Sequence, residues 1–282
     1  MIETLSLEEL RSYQGRQEVP EDFDSFWNQE LKKLEKEPAY QLKKVASGLD
    51  FVETFTLSFE SSAGHEIFAK CLFPKVEKPV PLIFYFHGYQ GQSPDWSACL
   101  NYLAAGYALV SMDLPGQAGQ SVEAGNYKGM TVKGHVIRGM LEGRERLYYK
   151  SIYLAIYQLI EIVSSFDRVD EKALSTYGAS QGGALALVAA ALNPKIKKVA
   201  SIYPFLSDFK RVLELGNHSQ AYDELFRYFK FSDPLHRTEN DILESLAYID
   251  VKNFAHRITA PLIFITGMED EVCPPVHSIC YI

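Results

Sequence analysis

Five short, largely apolar runs recur along the chain, and each breaks off at a polar or glycine-rich turn. Residues 82–86 run into His87-Gly88, 107–112 into Asp113, 173–177 into Gly178, 199–203 into Pro204 and 262–266 into Gly267. Helix-length segments lie between them, at 96–105, 144–166 and 181–192. Short strands buried on both faces and alternating with helices predict an α/β fold with a mainly parallel, doubly wound sheet. Ligands of such sheets sit at the carboxyl ends of the strands, so the turns are where chemistry is expected.

The start of the chain has a different rhythm. Residues 20–36 open with Pro20-Glu21-Asp22 and carry Phe23, Phe26, Trp27 and Leu31, which predicts a helix with acids in its first turn and one apolar stripe. Residues 51–59 alternate between apolar and polar positions, 61–64 read as a turn and 66–73 as a returning strand, so a hairpin follows the helix. Two stretches interrupt the later alternation. The glycine-rich stretch 117–143 reads as an excursion. The polar, helical stretch 206–255 reads as a cap inserted over the strand ends. The expected organisation is one domain over 1–282, with an N-terminal extension at 1–50, an excursion at 117–149 and the cap.

Composition narrows the class. Apolar residues make up 47% and charged residues 23%, as in a soluble globular protein. The net charge of −8 disfavours nucleic acid and anionic membranes as partners. The first ten residues carry acids where a signal peptide carries Lys or Arg, and no apolar run is long enough to span a bilayer. Cys71, Cys99, Cys273 and Cys280 have no C-x-x-C spacing and read as reduced thiols, so the expected compartment is the cytoplasm.

Gly178-Ala179-Ser180-Gln181-Gly182 matches G-x-S-x-G. The pentapeptide alone is a weak signal. An apolar strand before it and an Ala/Leu-rich helix after it make the strand–turn–helix of a nucleophile elbow. Ser180 is therefore the candidate nucleophile, at a helix N-terminus that favours developing negative charge. The oxyanion donors expected with it are the N–H of Gln181 and one from the loop His87-Gly88-Tyr89-Gln90-Gly91, with Tyr89 preferred. His87 is expected to brace that loop, since the base of such sites comes last in chain order. Asp270, after the last run, is the candidate acid, with Glu269 beside it as the alternative. Cys273 reads as a packing residue. Ser180 chemistry by itself leaves a peptidase or thioesterase open.

These residues resemble the α/β-hydrolase acetyl xylan esterases and cephalosporin C deacetylases of carbohydrate esterase family seven. The resemblance rests on His87-Gly88-Tyr89, on residues 178–183, on Tyr203-Pro204-Phe205-Leu206-Ser207, on Val132-Lys133-Gly134-His135 with Arg138-Gly139, on residues 248–253, and on Asp270 with Val272-Cys273-Pro274-Pro275. It implies an α/β-hydrolase fold with a serine carboxylesterase activity. Acetyl groups would leave small acetylated sugars (xylo-oligosaccharides) and cephalosporin C-type esters through an acetyl-enzyme on Ser180, with no metal or cofactor. It also implies a cytoplasmic homohexamer, with the excursion at subunit contacts. Pro115 stands where the family usually has Arg. The family's catalytic His lies in a further strand-loop well past the acid, whereas only 12 residues follow Asp270 here, and His277 is the one histidine among them. His277 is a weak substitute, because the chain would have to double back at once. The expectation is a truncated esterase without its last strand, helix and triad His. Such a chain would be impaired in catalysis, serving as a scaffold or binding protein if at all, with the strand at 262–266 left at a sheet edge.

Overall fold

A computed structural model describes residues 5–125, 134–219 and 221–275. Among these residues eight strands form one mixed sheet: β1 (Tyr40–Val45), β2 (Val52–Glu60), β3 (Glu66–Pro74), β4 (Val80–Phe86), β5 (Ala108–Met112), β6 (Val169–Ala179), β7 (Ile196–Ile202) and β8 (Leu262–Ile265). Their order is β1-β2-β3-β5-β4-β6-β7-β8. Strands β5, β4, β6, β7 and β8 run parallel, while β1, β2 and β3 pair antiparallel and join through β3 to β5. All five apolar runs are strands of the parallel part, and the hairpin is β2–β3, close to the expected residues. The N-terminal strand β1 was not expected.

Among the described residues the α-helices are α1 (Leu7–Arg11), α2 (Phe23–Lys32), α3 (Leu100–Ala104), α4 (Tyr148–Ser164), α5 (Gln181–Leu192), α6 (Phe209–Leu215), α7 (Asp223–Phe231) and α8 (Glu239–Leu246). Every residue of α5 is buried, and so are 14 of the 17 residues of α4. Helices apolar on all sides belong inside a layered core, and α5 packs on β6, β7 and the 251–257 turn. The stretch 206–255 holds α6, α7 and α8 and no strand, as its pattern predicted.

The N-terminal extension is seated against this helical stretch. Phe23, Phe26 and Trp27 of α2 are buried. The Trp27 indole N–H donates to the Tyr248 carbonyl at 3.1 Å, and its ring lies 5.2 Å from Phe254. The excursion is tied to the sheet on its near side, where Val122 and Glu66 exchange two backbone bonds. Residues 126–133 of it lie outside the described residues.

The run at 262–266 was read as a buried strand like its siblings and also as a strand left at a sheet edge. In the described residues the edge reading holds, since β8 is outermost and pairs only with β7. The burial reading needs correction: the alternate side chains Ile263 and Ile265 are 65% and 49% exposed. No helix of the described residues is long and apolar enough to cross a membrane.

Candidate active site

Ser180 stands between β6 and α5, at φ 56° and ψ −122°. A non-glycine residue in this region is strained by a kcal/mol or more and persists only when its surroundings hold it. Its N–H donates to the Ile202 carbonyl at 2.9 Å, and its own carbonyl accepts from Ala184 at 3.1 Å and Phe205 at 3.2 Å. The flanking glycines permit the turn. A Cβ on Gly178 would strike the Gly182 backbone, and one on Gly182 would strike the carbonyl of Phe86 at the end of β4. Ser180 therefore caps a twelve-residue helix at its N-terminal, positively polarised end.

Of the two expected oxyanion donors, Gln181 follows Ser180 directly and Tyr89 lies in the loop after β4, the strand beside β6. Among the described residues, neither the Tyr89 nor the Gln181 backbone N–H donates to a protein acceptor. Gln181 is wholly buried, and its side-chain amide pairs reciprocally with that of Gln117 at 2.8 and 3.1 Å. Tyr149 donates to the same Gln181 oxygen at 2.7 Å. The Gln117 oxygen also accepts from the Gln90 N–H at 2.8 Å, which ties the Tyr89 loop to the nucleophile turn. Nothing in the local sequence signals this amide pair, because its members are 64 residues apart. His87 braces the loop, as expected: its Nδ1–H donates to the Gly88 carbonyl at 2.8 Å and its Nε2 accepts from Leu114 at 3.1 Å. Burial lowers its pKa, so the ring stays neutral.

Asp270 lies in the turn after β8. One carboxylate oxygen accepts from the backbone N–H groups of Val272 at 2.9 Å and Cys273 at 2.8 Å, an arrangement that fixes the side chain in its own loop. Glu269, the alternative, is exposed. The loop then turns back on Ser180, and Cys273 Sγ lies 3.9 Å from Ser180 Oγ. Cys273 is a packing residue, 2% exposed, but it packs on Ser180 itself, a contact the sequence did not reveal. Burial pushes its pKa up to about 12, so it is a thiol at neutral pH and no competing nucleophile. Among the described residues no histidine is hydrogen-bonded to Ser180 or Asp270. His277 lies outside them. No cluster of His, Cys, Asp and Glu among the described residues has metal-holding geometry.

The model of one family, described as acetyl xylan esterase, matches residues 1–281. The chain belongs to the acetyl xylan esterase family. A crystal structure of acetyl xylan esterase 1 from a Thermoanaerobacterium species is 41% identical, with a TM-score of 0.94 over 98% of this chain and 88% of that one. The acetyl xylan esterase of Paenibacillus sp. R4 is 29% identical, with a TM-score of 0.90 over 98% and 89%. The acetyl esterase Axe7A of Xylanibacter ruminicola is 28% identical over 92% of this chain, which spans 58% of that protein's length.

In this member of the acetyl xylan esterase family, backbone strain gathers around Ser180. Among the described residues six non-glycine residues have positive φ, and five of them are Gln90, Ser180, Tyr203, Leu206 and Asp208. The loop carrying the last three is held from below. The buried Asp250 carboxylate accepts from the N–H groups of Asp208 at 3.0 Å, Phe209 at 3.4 Å and Lys252 at 3.2 Å. The Asp208 carboxylate accepts from the Tyr13 hydroxyl and from the Arg16 N–H at 3.2 Å, so the N-terminal extension braces the same loop.

Burial raises the Asp250 pKa to about 6, against a partial offset from Lys252. A folded-state pKa above the unfolded value means that folding takes up a proton. This contribution to stability is full below the unfolded pKa of 3.8 and is lost as pH rises through about 6. Wild type should therefore gain more stability than Asp250→Asn between pH 7 and pH 5. Urea unfolding of both proteins at the two pH values checks it; equal changes would exclude Asp250 as the titrating group.

Proposed function

We propose that this chain is a serine esterase that removes acetyl groups from small acetylated sugars such as xylo-oligosaccharides. The observation that carries the proposal is Ser180 held in a strained turn at the N-terminus of α5, with the backbone N–H groups of Gln181 and Tyr89 giving no hydrogen bond to a protein acceptor among the described residues. Ser180 Oγ attacks the acetyl carbonyl, and the carbonyl oxygen takes the electron pair and lies against the two N–H groups. Each such donor is worth about 10²–10³ in rate. The leaving sugar oxygen departs with a proton, and water then cleaves the acetyl-enzyme, returning Ser180 and acetate. Asp270 would orient the base that accepts the Ser180 proton. His277 is the one histidine of the sequence past the acid, so His277→Ala tests it directly.

The family model and the names of the similar proteins, acetyl xylan esterase and acetyl esterase, support the acetyl preference. The acetyl ester of cephalosporin C is a second expected substrate. A cytoplasmic homohexamer belongs to the same proposal and rests on the sequence resemblance. Acetate release from acetylated xylo-oligosaccharides is the deciding assay. On 4-nitrophenyl esters, acetate should be preferred over butyrate by about 10-fold or more in kcat/KM, the discrimination that one or two methylenes give in a closed pocket. A preference for longer acyl chains, or turnover of peptide but not ester substrates, would overturn the proposal.

A further inference from the structure

We infer that His135 is a positioning residue for the oxyanion hole, acting through the hydroxyl of Tyr89. The inference rests on the esterase assignment above. It starts from the donors and acceptors around one buried oxygen. The Tyr89 hydroxyl accepts from the backbone N–H of Gly134 at 3.0 Å and of His135 at 3.3 Å. A phenol oxygen has two acceptor positions and one proton. Both acceptor positions are used, so the proton points to the remaining neighbour, His135 Nδ1 at 3.1 Å. An accepting Nδ1 requires the imidazole proton on Nε2, and Nε2 lies 2.8 Å from the Gly116 carbonyl, which can only accept. Every group has one role, and the tautomer of His135 follows from the network.

The consequence reaches both sides of the oxyanion loop. His135 holds the far end of the Tyr89 side chain, and its ring stands edge-on to the Tyr89 ring at 5.5 Å. Through Gly116 it also holds the residue before Gln117, whose amide ties Gln90 to Gln181. Tyr89 is thus clamped at its ring by His135 and at its following peptide by Gln117. The imidazole is 1% exposed, and burial together with the Arg138 charge lowers its pKa to about 4, so it stays the neutral acceptor near neutral pH. A histidine that merely fills a core gap has no reason to connect these two loops.

Four variants of the full chain test this: Tyr89→Phe, His135→Leu, the double variant and His135→Gln. Tyr89→Phe and His135→Leu should each lower kcat on 4-nitrophenyl acetate by about 10- to 100-fold, a fraction of what a whole oxyanion donor gives, with KM little changed. The double variant should be no slower than either single one, because both remove the same link. His135→Gln keeps one acceptor and one donor and should recover most of the loss. A second readout needs no turnover. In ¹⁵N spectra of labelled histidine, the signal lost in His135→Leu should be that of a neutral Nε2–H imidazole, and Tyr89→Phe should move its Nδ1 resonance. Additive losses in the double variant, wild-type kcat in His135→Leu, or an Nδ1 resonance unmoved by Tyr89→Phe would each overturn the inference. Absence of Ser180-dependent turnover in the parent chain would overturn the esterase assignment and the role with it, and the spectra would still report whether the clamp exists.

Discussion

Ser180→Ala should abolish the hydrolysis of 4-nitrophenyl acetate and of acetylated xylo-oligosaccharides. Removing a serine nucleophile costs on the order of 10⁶ in kcat in a serine protease, and the donors that remain give about 10³–10⁴ over water. The variant should fold as the parent does, since the Ser180 hydroxyl has one described polar neighbour, the Cys273 sulfur at 3.9 Å. Its backbone bonds to Ile202, Ala184 and Phe205 are untouched by the change. Rates of parent and variant, measured with melting midpoints, decide the matter. Equal rates in the two proteins would place the chemistry elsewhere. His277→Ala in the same series reads the base: a loss as deep as that of Ser180→Ala assigns it, and an unchanged rate removes it from the mechanism.

Gly182→Ala should destabilise the protein strongly, because the added methyl meets only backbone. Its Cβ would lie 2.7 Å from the carbonyl carbon of Phe86, closer still to the carbonyl oxygen, and 3.2 Å from the oxygen of His87. All of these are backbone atoms at the end of β4, so no side chain can swing aside. Relief requires α5 to lift from the sheet, and α5 is buried along its whole length. A cost of about 3 kcal/mol or more is expected, at the upper end for an overpacked core. In a chain of this size that is a fall of roughly 6–12 °C in melting midpoint. Gly48→Ala is the control: Gly48 has φ +70° and open space around it, so only left-handed strain of about 1–2 kcal/mol applies. If Gly182→Ala melts no lower than Gly48→Ala, the close approach of α5 to β4 does not set the elbow.

What the sequence revealed follows from where each signal originates. Strand β5 is buried at all five positions, and such a run cannot be mistaken for a surface segment. Strand β1 is exposed or half-exposed throughout, and its place comes from backbone pairing with β2, which leaves no apolar trace. Helix α1 buries only Leu10, and its start is marked by the Ser6/Glu9 capping box. In the candidate site, the turn of Ser180 and its glycines was legible because the elbow is a local motif. The turn that carries Asp270 was legible because it follows the last strand. The Gln117–Gln181 pair, the Tyr89–His135 clamp and the Cys273–Ser180 contact join residues 64, 46 and 93 apart, so no local pattern could reveal them.

The seating of the N-terminal helix sets a timetable for synthesis. Trp27 finds its hydrogen-bond partner, Tyr248, 221 residues later. At roughly 5–20 residues per second on the ribosome, Phe23, Phe26 and Trp27 wait about 10–45 s before the surface that buries them exists. During that interval three aromatic side chains present an apolar stripe on a nascent helix, a suitable hold for a chaperone. The first segment made is thus among the last to dock, and docking it completes the brace from Tyr13 to Asp208 in the loop that follows β7.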